Sequence, residues 1–253
     1  MKILQRRSGI VPNGLRLQYD REGKKLKYSV SDYIKRYVVL ITGLFIMAFG
    51  VALSTRADLG TSPISCPPYV LSFVIPFTMG DITIAMHVLF ILVQILLLRG
   101  NYDTVQLLQL AAAFVFGYFT DLTLALTDKI TAAGYLQQWG LCLISCLLVA
   151  IGVELEVKAN VIMLAGEGTM TAIASVFHVA FAKVKIAFDS SMVIIACIIS
   201  LAMLGNIKGV REGTVAAAIL VGLLVKLLDK MLAGSFHRIG LDEPADSGKK
   251  KVA

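Results

Sequence analysis

Residues 57–72 read "ADLGTSPISCPPYVLS", an interruption in a strongly apolar chain. The stretch holds an acid, a glycine, three prolines and several hydroxyls where a membrane helix would be uniform. Non-helical backbone is tolerated at membrane depth only where protein covers it or a water-filled cavity meets it. Whether this stretch is a surface loop or a helix broken inside the membrane therefore decides the architecture.

Eight apolar segments surround it, at 37–55, 62–78, 82–98, 105–127, 138–156, 168–183, 188–204 and 211–231. Hydrophobic residues make up 57% of the 253-residue chain, and several segments are apolar all round, without the wet face a soluble helix needs. Spanning the hydrocarbon takes about 20 largely apolar residues, fewer when the ends snorkel. The expected fold is all-α, a polytopic transmembrane bundle. The first apolar run begins only at Tyr37, behind a charged leader with no early cleavage site, so insertion without cleavage is expected.

Ten of the 24 Lys and Arg fall in residues 1–36 and six more from Lys226 onward. The positive-inside rule places both tails in the cytoplasm and requires an even number of crossings. The net charge of +7 reads as attraction to anionic membrane lipid rather than to nucleic acid, since the tails offer only scattered charge. Cys66, Cys142, Cys146 and Cys197 all lie in apolar segments without His or carboxylate companions adjacent in sequence, so buried thiols are expected and no metal or other cofactor.

Self-comparison divides the chain in two. "RGNYDTVQLLQLAAAFVFGYF" from Arg99 matches "LGNIKGVREGTVAAAILVGLL" from Leu204 at an offset of 105, pairing Gly100 with Gly205, Ala111–Ala113 with Ala216–Ala218 and Gly117 with Gly222. Upstream the offset is 102, pairing Gly50–Leu53 with Gly152–Leu155 and Arg56-Ala57-Asp58 with Lys158-Ala159-Asn160. This predicts two repeats, 37–128 and 138–233, of about four segments each, between a basic tail (1–36) and a polar tail (234–253). Eight crossings make the repeats parallel. If segments two and six only dip into the membrane, six crossings make them inverted. Geometry leans to eight: residues 168–183 as a helix are about 24 Å long at 1.5 Å per residue, and an extended 160–164 adds about 15 Å.

At the 105 offset "GTSPISCPP" from Gly60 falls on "AGEGTMTAI" from Ala165, setting Ser62 against Glu167. Ser-Pro suits a helix start, with Ser62 as cap and Pro63 in the first turn. A carboxylate at Glu167 suits a helix N-terminus. Helix N-termini facing a cavity make an anion or carboxylate site. Ser62, Ser65, Glu167 and Thr169 then either line a substrate site between the halves or are ordinary caps and loop residues. An intramembrane carboxylate such as Glu167 is a functional candidate by default.

His178, eleven residues after Glu167 and on the same helical face, could relay protons or bond a neighbouring hydroxyl. His87 and Gln94 share a face and suit interhelical hydrogen bonds. Asp121 faces either the bundle interior or the headgroups, and Asp81 and Asp189 read as helix caps. Glu154 and Glu156, two apart on a helix, lie on opposite faces and make a poor acid/base pair. No protease, hydrolase or phosphate-binding motif is present, and no catalytic residue is expected.

"GLFIMAFGVALSTRADLGTSPISCPPYVLS" followed by "TMGDITIAMHVLFILVQILLLRG" resembles the YczE/YyaS/YitT family of bacterial integral membrane proteins, the YczE-like branch above all. The resemblance covers roughly 37–230, and "ADLGTSP" is its most specific element. It implies a bacterial inner-membrane protein with no established catalytic activity, and lends no residue an assigned role. After Gly234 only a short polar tail follows, so the soluble C-terminal domain of YitT-like members is not expected.

Three functions remain. A small-solute transporter accounts for the repeats, the paired broken segments and the embedded carboxylate. A membrane accessory protein would bind a protein partner through its basic tails. An enzyme acting on a lipid-embedded substrate is the weakest of the three.

Overall fold

In the computed structural model, residues 30–239 are described and form an all-α membrane protein. The two tails largely lie outside them. Eight helices follow in order: α1 (Val30–Ala57), α2 (Cys66–Leu71), α3 (Met79–Leu98), α4 (Gln109–Leu126), α5 (Tyr135–Ala159), α6 (Ala165–Val176), α7 (Phe181–Leu204) and α8 (Glu212–Ile239). Five of the long ones are apolar and long enough to cross a membrane; α8 is equally long but carries more charge.

The short elements depart from expectation. Segment 62–78 is a 3-10 turn, Pro63–Ser65, and a six-residue helix, followed by turns up to Thr78. Segment 168–183 is not one helix: α6 has 12 residues and ends at Val176. At 1.5 Å per residue α2 rises about 9 Å and α6 about 18 Å, against the ~30 Å of hydrocarbon. Residues 168–183 are therefore not the single helix of about 24 Å on which the lean to eight crossings rests. Two boundaries also move outward: α1 begins at Val30 rather than Tyr37, and α7 at Phe181 rather than 188.

The central contact is α1 against α5, made possible by missing side chains. A Cβ on Gly50 would lie 2.8 Å from Val149 N, and one on Gly152 2.7 Å from Gly43 O and 2.8 Å from Met47 N. Small residues let membrane helices approach this closely, and dispersion between the backbones replaces the hydrophobic drive that lipid removes. As α1 runs from Gly43 to Gly50, its partners run back from Leu155 to Ser145, and Arg36 Nη1 donates to Ala159 O at the far end, 3.1 Å. The two helices are antiparallel.

Around this pair, α4 packs on α1 and α8 on α5, while α2 packs on α7 and α6 on α3. The ends of α1 and α5 are alike as well. Both close on a residue with left-handed backbone, Asp58 (φ 53°) and Asn160 (φ 56°). Arg56 donates to Leu124 O (2.8 Å) and meets Asp128 (3.2 Å), and Lys158 meets Asp229 (2.6 Å).

α3 starts at a capping box: Thr78 Oγ1 accepts from Asp81 N and the Asp81 carboxylate accepts from Thr78 N. Asp121 of α4 completes it, accepting from Thr78 Oγ1 at 2.6 Å and from Gly80 N at 2.8 Å. Its carboxylate thus caps a neighbouring helix from a half-buried position. Hydrogen bonds to a charged group contribute about 1.5–3 kcal/mol. Asp121→Ala is expected to destabilise the chain by about that amount, read as a lowered melting temperature in detergent.

Candidate functional site

Both broken segments enter the bundle as irregular backbone, and each is held by the rest of the chain. In the first, Gly60 takes φ 88°, where a side chain would also strike Thr214 Oγ1 and Arg211 N. Thr61 N donates to Gly209 O (3.4 Å) and Gly213 N to Leu59 O (2.8 Å), tying this entrance to the α7–α8 loop. In the second, the buried Glu156 carboxylate accepts from Leu164 N immediately before α6. The two segments meet where Ile64 packs over Gly166, its terminal methyl standing where a Cβ would be.

Behind this meeting point lies a cavity of about 340 Å³ bounded by residues from all eight helices. Most of its wall is apolar, with Met47, Val51, Phe116, Val153, Met170 and Phe181 among the contributors. The polar members are Ser62, Ser65, Thr83, His87, Glu167, Lys185 and Asp189. Ser62, Ser65 and Glu167 of the expected set thus border one chamber. Ser62 does not cap through its side chain: its backbone carbonyl accepts from Ser65 N and Cys66 N, while its hydroxyl donates to Ser65 Oγ at 2.9 Å.

Thr169 is not at this wall. It is buried on the α3 side of α6, where its hydroxyl reaches Ala165 O (2.7 Å) and Phe90 O (3.2 Å). Gln94 lies there too, 1% exposed, its Nε2 within 3.1 Å of Gln109 Oε1 and 3.0 Å of Ala165 O. Gly168 leaves the space for these two glutamines, whose amides would stand within 3.0 Å of a Cβ there. Gln94 therefore joins helices, while its face-mate His87 borders the chamber, 3% exposed with a buried Nδ1 that has no hydrogen-bond partner among the described residues. His178 is overturned as a candidate. α6 ends before it, and it sits exposed in the α6–α7 turn at φ 56°.

Sequence reasoning missed the ion pair at the wall. Asp189 is no helix cap: it lies inside α7, paired with Lys185 at 2.9 Å, and both face the chamber. Glu154 and Glu156 are buried on different faces of α5, the first beside Lys158 at 3.6 Å. Burial on both faces becomes visible only once α5 is known to be enclosed by α1 and α8. Cys66, Cys142 and Cys146 are free, buried thiols, and no cluster able to hold a metal occurs among the described residues.

One side of the chamber is packed less tightly. α3 and α4 close on each other through Gly80 and Gly117, where a Cβ on Gly80 would lie 2.3 Å from Gly117 O. α7 and α8 are not among the closely packed helix pairs, and Gly222, the counterpart of Gly117, has nothing within 4 Å although it borders the chamber.

The model of a family of unknown function, DUF6198, matches residues 34–230, and the chain belongs to that family. No curated protein and no solved structure matches it.

Proposed function

We propose that this DUF6198 protein is a small-solute transporter whose site is the chamber between its two halves. The observation that carries this reading is that one cavity takes its wall from every helix and from both broken segments. Transporter sites recur at repeat interfaces near the bilayer midplane, beside discontinuous helices.

The same reading takes the halves as inverted repeats with six crossings, α2 and α6 dipping into the membrane as re-entrant elements. Its support is the geometry of exchange. The contact of Gly50 with Val149 and that of Gly152 with Met47 are the same contact with the halves interchanged, each position meeting its counterpart at the offset of 102. Reciprocal pairing of this kind is what a two-fold axis produces. For antiparallel helices crossing the membrane, that axis lies in the membrane plane. The packing of α2 on α7 and α6 on α3, and of α1 on α4 and α5 on α8, obeys the same exchange. Six crossings keep both termini on one side, which the basic tails and the positive-inside rule favour as the cytoplasm, in a bacterial inner membrane if the family resemblance holds. No catalytic step is assigned.

The test is uptake of a metabolite panel by proteoliposomes of the full chain. Gly222→Trp places bulk at the chamber where a Cβ meets nothing, so it should fold normally and lower uptake by about 10-fold or more. Equal uptake by both proteins, or by empty liposomes, removes the reading.

A further inference from the structure

We infer that the chamber binds an amphipathic organic cation, its ammonium group at Glu167 and its apolar body along the methionine, valine and phenylalanine wall. This rests on the chamber being a ligand site. The charge of the wall carries the inference. Three ionisable acids and bases other than His87 border the chamber: Glu167, Lys185 and Asp189. Lys185 and Asp189 satisfy each other at 2.9 Å, which leaves the Glu167 carboxyl as the formal charge without an ion-pair partner within 4 Å among the described residues. A carboxyl in a largely apolar chamber is expensive to keep, and a ligand cation is the counter-charge that stabilises it.

The anion site expected from helix N-termini does not survive the geometry. The first turn of α6 already carries its own carboxyl, Glu167. Among the described residues the one lysine at the wall, Lys185, is engaged by Asp189, so an anion would face two carboxylates with no unpaired ammonium or guanidinium group. A strongly hydrated inorganic ion is disfavoured as well, because the rest of the wall offers few oxygens. His87, 3% exposed with an unpartnered Nδ1, and Thr83 supply hydrogen bonds at a single edge, while Phe181 adds an aromatic face suited to a cation. About 340 Å³ is the low end of ligand pockets, which suits a small amine with an alkyl or aryl body. The loosely packed α7–α8 side gives such a ligand an apolar approach.

Three probes share one body and differ in the head group: tritiated hexylammonium, with 1-hexanol and hexanoate as competitors. Binding is measured on full-length protein in nanodiscs, so no transport is required. The native chain should bind hexylammonium saturably, hexanol about 10-fold more weakly or worse, and hexanoate not at all. Glu167→Gln should weaken hexylammonium by about 10-fold or more and leave hexanol unchanged. Lys185→Met removes the base and exposes a second carboxylate, so it should tighten hexylammonium, a gain that misfolding cannot imitate. Absence of saturable hexylammonium binding, preference for hexanoate, or indifference to both substitutions overturns the inference. Binding without uptake into proteoliposomes leaves the ligand class standing and removes transport. Uptake of solutes that is unaffected by Glu167→Gln does the reverse.

Discussion

Gly152→Leu will abolish the folded protein, whereas Gly140→Leu on the same helix will be tolerated. Both glycines belong to α5, so helix propensity acts alike on both and even favours leucine. They differ in what stands opposite. At position 140 a Cβ meets nothing within 4 Å, but at 152 it would lie 2.6 Å from Met47 Cβ, 2.7 Å from Gly43 O and 2.8 Å from Met47 N. Two of these obstacles are backbone atoms, which cannot rotate away, so α1 and α5 must separate. Overpacking a fitted contact by even a methyl costs about 1–3 kcal/mol, which sets the expectation for Gly152→Ala. A leucine adds three more carbons to the same space. Because α4 packs on α1 and α8 on α5, separation of the central pair propagates to the outer helices. The measurement is the monodisperse fraction on size-exclusion chromatography in mild detergent, with melting temperature for the alanine variant. A monodisperse Gly152→Leu protein would show that the α1–α5 contact is not the keystone of the bundle.

Much of this architecture was legible in the sequence, because length and apolarity set helix spans directly. The matched positions Gly50 and Gly152 lie at the central contact, and Asp58 and Asn160 at the two helix ends, but the match by itself gave only the repeat. The ends of α6 and α7 were not legible. Val176, Phe177 and Val179 continue the apolar run through the turn at His178, since both sides of that turn are exposed apolar surface. Hydropathy sees no break there, and the break comes instead from backbone conformation at one residue. The error at Asp189 has the opposite origin. Charge excluded 181–187 from the seventh segment, although Lys185 and Asp189, one turn apart, satisfy each other and lie within the helix. The chamber joins Ser62, Ser65 and Glu167 but leaves out Thr169, because α6 turns one face to the chamber and the next to the glutamines of α3 and α4. Nothing in a linear sequence distinguishes those faces before the neighbours of α6 are known.

Two engineered cysteines will report opposite sides of the membrane, in the order that six crossings require. Gly100 lies between α3 and α4, and Gly134 immediately before α5. Both are exposed, and a Cβ at either meets nothing within 4 Å, so Gly100→Cys and Gly134→Cys should leave the fold intact. With the basic N-terminal tail in the cytoplasm and α2 not crossing, α1 leads out, α3 returns, and position 100 is cytoplasmic; α4 leads out again and position 134 is external. If segment two crosses, every later loop changes side and the two assignments exchange. A membrane-impermeant maleimide applied to intact cells should therefore label Gly134→Cys and spare Gly100→Cys until the cells are lysed. The native chain serves as blank, because Cys66, Cys142 and Cys146 are buried and Cys197 lies within α7. The contrast is all-or-none because a single crossing shifts both positions together, and it bears directly on the repeats. An odd number of crossings in each half makes the halves inverted and places α1 against an antiparallel α5. An even number would carry α5 in the same direction as α1, whereas the contacts from Gly43–Leu155 to Gly50–Ser145 run antiparallel. Labelling of position 100 alone in intact cells would overturn the six-crossing arrangement and with it the two-fold axis in the membrane plane.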